Sequence, residues 1–234
     1  MMQVVILAGG LGTRLRAMAP ETPKVMVPVA GRPFIEHQFA LLRGAGLVEI
    51  LLCVGHLGDQ VQAHVGDGRA FGLRVQYAWE KPDKLMGTGG ALVQARALLA
   101  PAFFVLYGDS YLPTDYAAVA EWFLRSDYPG AMTVFRNEGR WDASNTRIDG
   151  DRVTFYSKRA ARGETDYIDY GLSAYRREVI EGYADAPMPL DLAQVQSDLV
   201  QRRAMGAYVV KERFYEIGKP EGWAELDAHL RGRA

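Results

Sequence analysis

A glycine-rich stretch and two cationic side chains near the start of the chain have the types and spacing to bind a polyphosphate. The apolar run Gln3–Leu7 leads directly into the glycine-rich residues 9–12, and Arg14 and Lys24 follow. Glycines let backbone N–H groups approach phosphate oxygens without a Cβ in the way. A guanidinium binds phosphate oxygens through two donors, and an ammonium supplies a point charge. The spacing therefore predicts that the chain holds a nucleoside triphosphate by its phosphates.

Two other phosphate-binding loops fit this stretch less well. The dinucleotide fingerprint needs a third glycine at the opening of a helix and an acidic residue at the end of the second strand. Residues 10–15 lack that third glycine, and the second predicted strand ends at Val54-Gly55-His56, without a carboxylate. A P-loop closes on Gly-Lys-Ser or Gly-Lys-Thr, and neither tripeptide closes this stretch. The loop therefore belongs to a different class of nucleotide site.

The elements that must position this loop predict a doubly wound α/β fold. In the first half, strand-length apolar runs alternate with stretches whose apolar residues repeat at helical spacing, which is typical of a parallel sheet covered by helices on both faces. The predicted strands are 3–7, 49–54, 73–79 and 102–106, and the predicted helices are 33–45, 57–65, 88–99 and 114–126. Trp79, a large aromatic residue on a strand, is expected in the core.

The second half carries closely spaced strand patterns and predicts a mixed sheet. Asp149-Gly150 is a hairpin signal, and Asp191 and Gln194 have the spacing of a capping box at the start of a helix. The predicted strands are 130–135, 144–148, 152–156, 168–175, 207–211 and 214–217, and the predicted helices are 191–203 and 219–231. Because no linker or repeat interrupts the pattern, we expect one domain over residues 1–234.

Composition excludes several classes of partner. The net charge is −1 and 24% of residues are charged, so no global field attracts nucleic acid or an anionic membrane. Cys53, the one cysteine, lies in an apolar run and is expected in the core; a single thiol fits a reducing compartment such as the cytoplasm.

We find no signal-peptide pattern and no apolar window long enough to span a membrane. The oligomeric state is not encoded in any pattern that we can read.

Four motifs together resemble the sugar-1-phosphate nucleotidyltransferase family. They are residues 7–15 (LAGGLGTRL), 23–33 (PKVMVPVAGRP), 85–91 (LMGTGGA) and 106–109 (LYGD), with weaker similarity at 157–158, 168–171 and 216–221. The resemblance implies a glycosyltransferase-A-like nucleotidyltransferase fold, which is Rossmann-like and doubly wound around a predominantly parallel mixed sheet. It also implies a nucleotide-binding half over about 1–127 and a sugar-phosphate-binding half over about 128–234. Within the family, the heptose 1-phosphate and mannose 1-phosphate guanylyltransferases look most similar.

The resemblance assigns the first half of the chain to the nucleotide. Arg14 would hold the leaving pyrophosphate, and Lys24 would neutralise charge near the reacting phosphates. Glu80 and the turn that contains Gly87 would lie near the base. The residues that the resemblance places along the nucleotide are Leu7, Ala8, Gly9, Gly10, Gly12, Thr13, Glu80, Gly87 and Thr88.

The resemblance also implies Mg²⁺ as cofactor and a sugar-phosphate subsite. Asp109 stands where the family holds the metal, and Glu216 stands where the family has a second metal-binding aspartate. Lys158 matches the lysine of the family's Glu-Lys pair, which grips the sugar phosphate, but Ser157 replaces its glutamate. Further sugar-side candidates are Asp169, Gly171, Trp141 and Asn145.

These residues predict transfer of a nucleoside monophosphate from an NTP to a sugar 1-phosphate, with release of pyrophosphate. GTP is favoured because the Glu80 carboxylate can accept from guanine N1–H and N2–H₂, and the short chain looks closest to the heptose type. Uridylyl or cytidylyl transfer to another sugar phosphate stays open. So does transfer to a small phosphoalcohol, for which Trp141, Tyr167 and Tyr170 could form an aromatic cage. A non-catalytic nucleotide-sugar sensor or regulatory subunit is the alternative from another functional class.

Overall fold

The computed structural model describes residues 2–10, 21–80, 86–161 and 163–232. The strands are β1 (Gln3–Leu7), β2 (Pro28–Val29), β3 (Arg32–Pro33), β4 (Glu49–Val54), β5 (Arg74–Trp79), β6 (Ala102–Tyr107), β7 (Ser110–Tyr111), β8 (Gly130–Arg136), β9 (Thr146–Asp149), β10 (Arg152–Tyr156), β11 (Tyr167–Arg176), β12 (Met205–Val210) and β13 (Tyr215–Glu216). The helices are α1 (Phe34–Gly44), α2 (Gly58–Val65), α3 (Gly87–Gln94), α4 (Tyr116–Arg125), α5 (Arg177–Glu181), α6 (Leu192–Gln201) and α7 (Pro220–Arg231).

Nine of the described strands form one mixed sheet in the order β5-β4-β1-β6-β11-β8-β12-β10-β9. The first four run parallel, as the alternation of strands and helices in the first half predicts. Strand β11 is antiparallel to both β6 and β8, while β12 is parallel to β8. The expected α/β fold with a mixed sheet is confirmed, and the parallel strands lie in the half of the chain that is predicted to bind the nucleotide. The expectation of one domain over residues 1–234 stays a prediction.

The core lies on both faces of this sheet because alternate residues of a strand point to opposite faces. On β1, Val4 and Ile6 belong to one apolar cluster, whereas Val5 belongs to the other. Cys53 of β4 is 1% exposed, as expected from its apolar run. Burying both faces of the central strands leaves their carboxyl ends, and the loops that follow them, as the places where polar chemistry can collect.

Two expectations about the fold are wrong in detail. The predicted helix over 88–99 is shorter, since α3 ends at Gln94 and a separate 3₁₀ turn covers Arg96–Leu98. Trp79 is 38% exposed instead of buried, because β5 is an edge strand of the sheet and lacks a neighbour on one side. The short strands β2, β3 and β7 and the short helix α5 were not predicted. Among the described residues, no helix combines the length and apolar character needed to cross a membrane.

Candidate active site

Three glycines bring the carboxyl ends of β1, β4 and β6 close together. A Cβ added to Gly108 would lie 2.8 Å from the Leu7 carbonyl oxygen, and one added to Gly55 would lie 3.2 Å from the Gly9 carbonyl oxygen. The Gly108 N–H donates to the Leu7 carbonyl at 3.0 Å, which closes the contact. This close packing brings Leu7, Ala8, Gly9 and Gly10, the predicted nucleotide residues that the structure describes in this loop, to the edge of the sheet. Gly12, Thr13 and Arg14 lie outside the described residues.

Lys24 and Asp109 form an ion pair at this edge. The Lys24 ammonium donates to Asp109 Oδ2, and both side chains are partly covered, with 18% and 27% of their surfaces exposed. A Cβ on Gly218 would lie 3.4 Å from the Lys24 nitrogen and 3.5 Å from Asp109 Oδ2. The structure therefore brings together a predicted phosphate-binding cation and a predicted metal-binding carboxylate, with Gly218 leaving the space beside them open.

The buried side chain of Gln38 holds the backbone around Asp109. From α1, its Nε2 donates to the carbonyl oxygens of Tyr107, at 2.9 Å, and Ser110, at 2.8 Å. These carbonyls flank Asp109 on both sides, so one amide group braces the segment that carries the carboxylate. Sequence reasoning missed Gln38; a polar residue among the buried positions of an apolar helix face was the available signal.

Glu216 reaches the same edge through a two-stranded ladder. On β13 it pairs in register with Ser110 of β7, and the Ile217 N–H donates to the Asp109 carbonyl oxygen at 2.9 Å. Glu216 as a residue is exposed to solvent, while neighbouring protein atoms bury part of its carboxyl group. This burial raises the pKa of Glu216 to about 7, and the charge of Asp109 raises it further in the same direction. Glu216 is therefore an acid whose ionised form is stabilised when a cation is near.

The two carboxylates of Asp109 and Glu216 fit a divalent cation. A cation between them would relieve the repulsion and desolvation that raise the Glu216 pKa. Carboxylate oxygens are hard ligands, and Mg²⁺ needs few of them where phosphates and waters complete its octahedron. In the part of the chain that the structure describes, no group of three or more His, Cys, Asp or Glu side chains is arranged to hold a metal ion. A Mg²⁺ ion at these two residues would need phosphate and water oxygens to complete its coordination, and its presence stays a prediction.

Asp169 and Asn145 belong to a second cluster of polar groups, which are joined by hydrogen bonds. The Asp169 N–H donates to Asn145 Oδ1 at 2.8 Å. The side-chain oxygen of Asn145, a residue predicted to contact the sugar, therefore binds the backbone in this structure. Burial raises the pKa of Asp169 to about 6, although the Gly171 N–H and the charge of Lys158 both act to lower it. Gly171 has φ +97, a conformation that favours glycine, and it turns its N–H onto Asp169 at 3.0 Å.

Lys158 and Thr88 meet at Asp191, a residue that sequence reasoning treated only as a helix cap. The Lys158 ammonium donates to both Asp191 oxygens, at 3.0 and 2.9 Å. The Thr88 hydroxyl donates to Asp191 Oδ1 at 3.1 Å and accepts from the Leu192 N–H at 2.9 Å. The predicted nucleotide residue Thr88 therefore binds the start of α6 in this structure, and the signal for Asp191 was its capping position before α6.

Glu80 lies against Gly9 and keeps its carboxylate near the nucleotide loop. A Cβ on Gly9 would lie 2.5 Å from Glu80 Oε1, so the absence of a side chain at position 9 makes room for this carboxylate. Burial raises the pKa of Glu80, and a hydrogen bond from the Met86 backbone N–H opposes that effect. Gly87 follows Met86 with φ +75, which starts α3 directly beside this acid.

Trp141 lies in a loop that borders a cavity of about 610 Å³. The Arg213 guanidinium covers one face of its ring, 3.4 Å from the ring centroid. The cavity is also lined by Glu138, Asp142, Ser144, Thr165 and Asp166. Trp141 is 42% exposed, so its other parts can still contact a ligand, while one aromatic face is already occupied. Its predicted role, like those of the other candidate residues, stays a prediction.

Comparison with known proteins identifies the class. The chain belongs to the nucleotidyl transferase family, whose model matches residues 3–145. A mannose-1-phosphate guanylyltransferase of Mycobacterium tuberculosis is 30% identical over 179 residues, which are 76% of this chain and 49% of that protein. A D-glycero-alpha-D-manno-heptose 1-phosphate guanylyltransferase of Campylobacter jejuni is 34% identical over 114 residues, or 49% of this chain and 50% of that protein. The chain thus matches about half the length of these relatives.

Solved structures match over nearly the whole chain. HddC from Yersinia pseudotuberculosis has a TM-score of 0.82 and 27% identity, covering 98% of this chain and 100% of that one. A structure of that protein complexed with GMP-PN has also been determined. Other relatives are named thymidylyltransferases and uridylyltransferases, so similarity alone leaves the base and the sugar open.

Proposed function

We propose that this protein transfers a nucleoside monophosphate from an NTP to a sugar 1-phosphate, yielding a nucleotide sugar and pyrophosphate. The observation that carries the proposal is the group formed by Lys24, Asp109 and Glu216 at the carboxyl edge of the parallel strands. It combines a cation for phosphate oxygens with two carboxylates for a divalent ion. Family membership supports the same reaction class.

In the proposed reaction, a phosphate oxygen of the sugar 1-phosphate attacks the α-phosphorus of the NTP. The new phosphorus–oxygen bond forms as the bond between the α-phosphorus and the bridging oxygen breaks, and pyrophosphate leaves with its electron pair. A phosphate monoester has its second pKa near ~6, so the attacking oxygen is largely ionised at neutral pH and needs no general base. Positioning and charge neutralisation then supply the catalysis.

Lys24 and Lys158 are the described cations proposed for this step. Lys24 would neutralise charge at the triphosphate, Arg14 would hold the pyrophosphate, and Lys158 would hold the sugar phosphate. Asp109 and Glu216 would hold Mg²⁺, which neutralises phosphate charge and orients the triphosphate when bound.

The finer part of the proposal is GTP as donor and a heptose- or mannose-type 1-phosphate as acceptor, in a reducing compartment such as the cytoplasm. The place of the Glu80 carboxylate beside Gly9 supports guanine, which offers N1–H and N2–H₂ as paired donors. The names of the two guanylyltransferase relatives point the same way. A phosphoalcohol acceptor is less well supported, because Tyr170 is 1% exposed and Arg213 covers one face of Trp141.

The test is pyrophosphate release with GTP, UTP, CTP and dTTP, each paired with mannose 1-phosphate, heptose 1-phosphate, glucose 1-phosphate and phosphocholine in the presence of Mg²⁺. The expected result is release with GTP and a mannose- or heptose-type acceptor. A higher kcat/KM with another base or acceptor would overturn the finer proposal and keep the reaction class. Absence of release with every pair, from a folded protein that binds an NTP, would favour the sensor instead.

A further inference from the structure

Asp191 makes the contacts expected of a helix cap. It precedes α6, accepts from the Ala193 N–H at 3.0 Å, and its own N–H donates to Gln194 Oε1 at 3.1 Å. Asp191 and Gln194 therefore form a capping box, which satisfies two backbone donors at the start of the helix. Capping alone would leave the remaining capacity of the carboxylate for solvent.

The same carboxylate also contacts both sides of the proposed active site. Lys158, from the sugar-phosphate side, binds both Asp191 oxygens, although it lies 33 positions away in the chain. Thr88, from the nucleotide side and 103 positions away, donates to Oδ1. The contact with Lys158 is not needed to cap α6, whereas the Thr88 hydroxyl also accepts from the Leu192 N–H at 2.9 Å and so takes part in the cap. The ion pair is half exposed, which weakens it, but its two charge-assisted hydrogen bonds still orient the lysine toward Asp191.

The backbone next to Asp191 is fastened to the nucleotide-side turn. The Leu190 carbonyl accepts from the N–H groups of Gly89, at 2.9 Å, and Gly90, at 3.1 Å, and the Leu190 N–H donates to the Met86 carbonyl at 2.9 Å. A Cβ on Gly87 would lie 2.4 Å from the Leu190 carbonyl oxygen, so only glycine permits this approach. Asp191 is therefore held at a set distance from the Gly87–Gln94 helix, and Lys158 with it.

The Asp191 carboxylate is ionised, as an ion pair with Lys158 requires. Burial by itself would raise the pKa of Asp191, but hydrogen bonds from the Ala193 N–H, Lys158 and Thr88 outweigh burial and lower the pKa. The carboxylate is thus ionised at neutral pH. The residue before Lys158 is Ser157, which has no charge, so the carboxylate that faces this lysine comes from a different element of the fold.

We propose that Asp191 is a positioning residue for the sugar phosphate. It holds Lys158 at a distance from the nucleotide-side turn that the contacts of Thr88 and Leu190 set. The proposal rests on the proposed function, because it assumes that Lys158 binds the sugar phosphate. It places the carboxylate partner of that lysine immediately before α6 instead of at position 157. Asp191 would act through Lys158 and would not itself contact the reacting atoms.

The first test compares Asp191→Asn with Gln194→Ala. Asparagine keeps the size of the side chain and an acceptor for the Ala193 N–H but loses the charge that holds Lys158. Asp191→Asn is expected to raise KM for the sugar phosphate at least about fivefold, while KM for the NTP changes less than about twofold. Gln194→Ala removes the other half of the capping box, keeps the carboxylate, and should leave both KM values unchanged. Asp191→Glu should recover part of the loss.

Equal KM values for Asp191→Asn and the wild-type protein, in an enzyme that turns over, would overturn the positioning role and leave the proposed function standing. The same holds if Asp191→Asn and Gln194→Ala change KM alike, since both would then act through the helix cap. If the wild-type protein turns over no pair of substrates, the proposed function fails instead, and the contact is tested by a second measurement.

That second measurement is labelling of Lys158 by an amine-reactive reagent, followed by mass spectrometry of the peptide. It needs no turnover. Asp191→Asn is expected to speed labelling at least about threefold, because the ammonium loses its carboxylate partner, while Gln194→Ala should label like the wild-type protein. Equal labelling rates in all three proteins would contradict the restraint of Lys158 by Asp191.

Discussion

Lys24 and Asp109 lie 85 positions apart in the chain, yet their charged groups meet at the edge of the sheet. Lys24 follows the loop after β1, and Asp109 follows β6, the strand that pairs with β1. Parallel pairing brings the carboxyl ends of both strands to the same edge. The Lys24 ammonium pairs with the Asp109 carboxylate, and the phosphate oxygens of a bound triphosphate would compete for that ammonium.

Removing either partner of this pair is expected to cost most of the activity. Lys24→Ala and Asp109→Ala should each lower turnover at least about 100-fold, because the first removes a cation that faces phosphate charge and the second removes a proposed metal ligand. Because the two residues act as a unit, the double variant should lose less than the product of the single losses. Steady-state rates of pyrophosphate release measure both effects. Arg69→Ala, on an exposed ion pair elsewhere, serves as control. Near-wild-type turnover of Lys24→Ala would contradict the phosphate role.

Loss of the Glu216 charge is expected to weaken metal binding. Glu216→Gln should raise the Mg²⁺ concentration for half-maximal activity at least about tenfold, since changes around metal sites commonly cost that much affinity. Electron paramagnetic resonance of Mn²⁺ in the presence of nucleotide gives the affinity without turnover. Glu221→Gln, at an exposed position in the first turn of α7, is the matched control. An unchanged Mn²⁺ affinity in Glu216→Gln would show that the second carboxylate is not a ligand.

The contact between Gly9 and Glu80 predicts an effect on base preference. In Gly9→Ala the new Cβ would lie 2.5 Å from Glu80 Oε1, so the carboxylate must move. We expect the ratio of kcat/KM for GTP to that for UTP to fall at least about fivefold, because a base that donates to Glu80 loses a partner. Gly44→Ala, whose Cβ meets no described atom within 4 Å, controls for the substitution itself. An unchanged ratio of kcat/KM for GTP to that for UTP would show that Glu80 does not contribute to base selection.

The thiol of Cys53 should be inert in the folded protein at mildly alkaline pH. Burial, and secondarily the charge of Glu80, raises the pKa of Cys53 to about 12. At pH 8 only about one thiol in ten thousand would be ionised, and the thiolate is the reactive form. Reaction with a chromogenic disulfide should therefore be slow under native conditions and fast in denaturant. A native rate close to that of a free thiol would show that β4 opens readily.

Much of the fold could be predicted because its signals are local. Strands β1, β4 and β10 have the predicted bounds, and the capping box of Asp191 and Gln194 is present as its spacing predicted. Apolar periodicity, turn residues and cap residues act over a few positions, so a sequence records them directly. The error at Trp79 has the opposite origin, since strand order decides whether a strand lies at the edge of the sheet, and no local pattern carries that order.

By itself, the sequence determined the strand–glycine loop, the cations after it and the family to which the chain belongs. Only the tertiary structure decided that Gln38 braces the backbone around Asp109 and that Asp191 binds both Lys158 and Thr88. The physical reason is that the type of a residue limits which contacts its side chain can make. Which partners the side chain actually meets depends on how elements distant in the sequence pack together. The sequence predicts only that Asp191 caps a helix. Its contacts with Lys158 and Thr88 form because the neighbouring Leu190 carbonyl is bound to the N–H groups of Gly89 and Gly90.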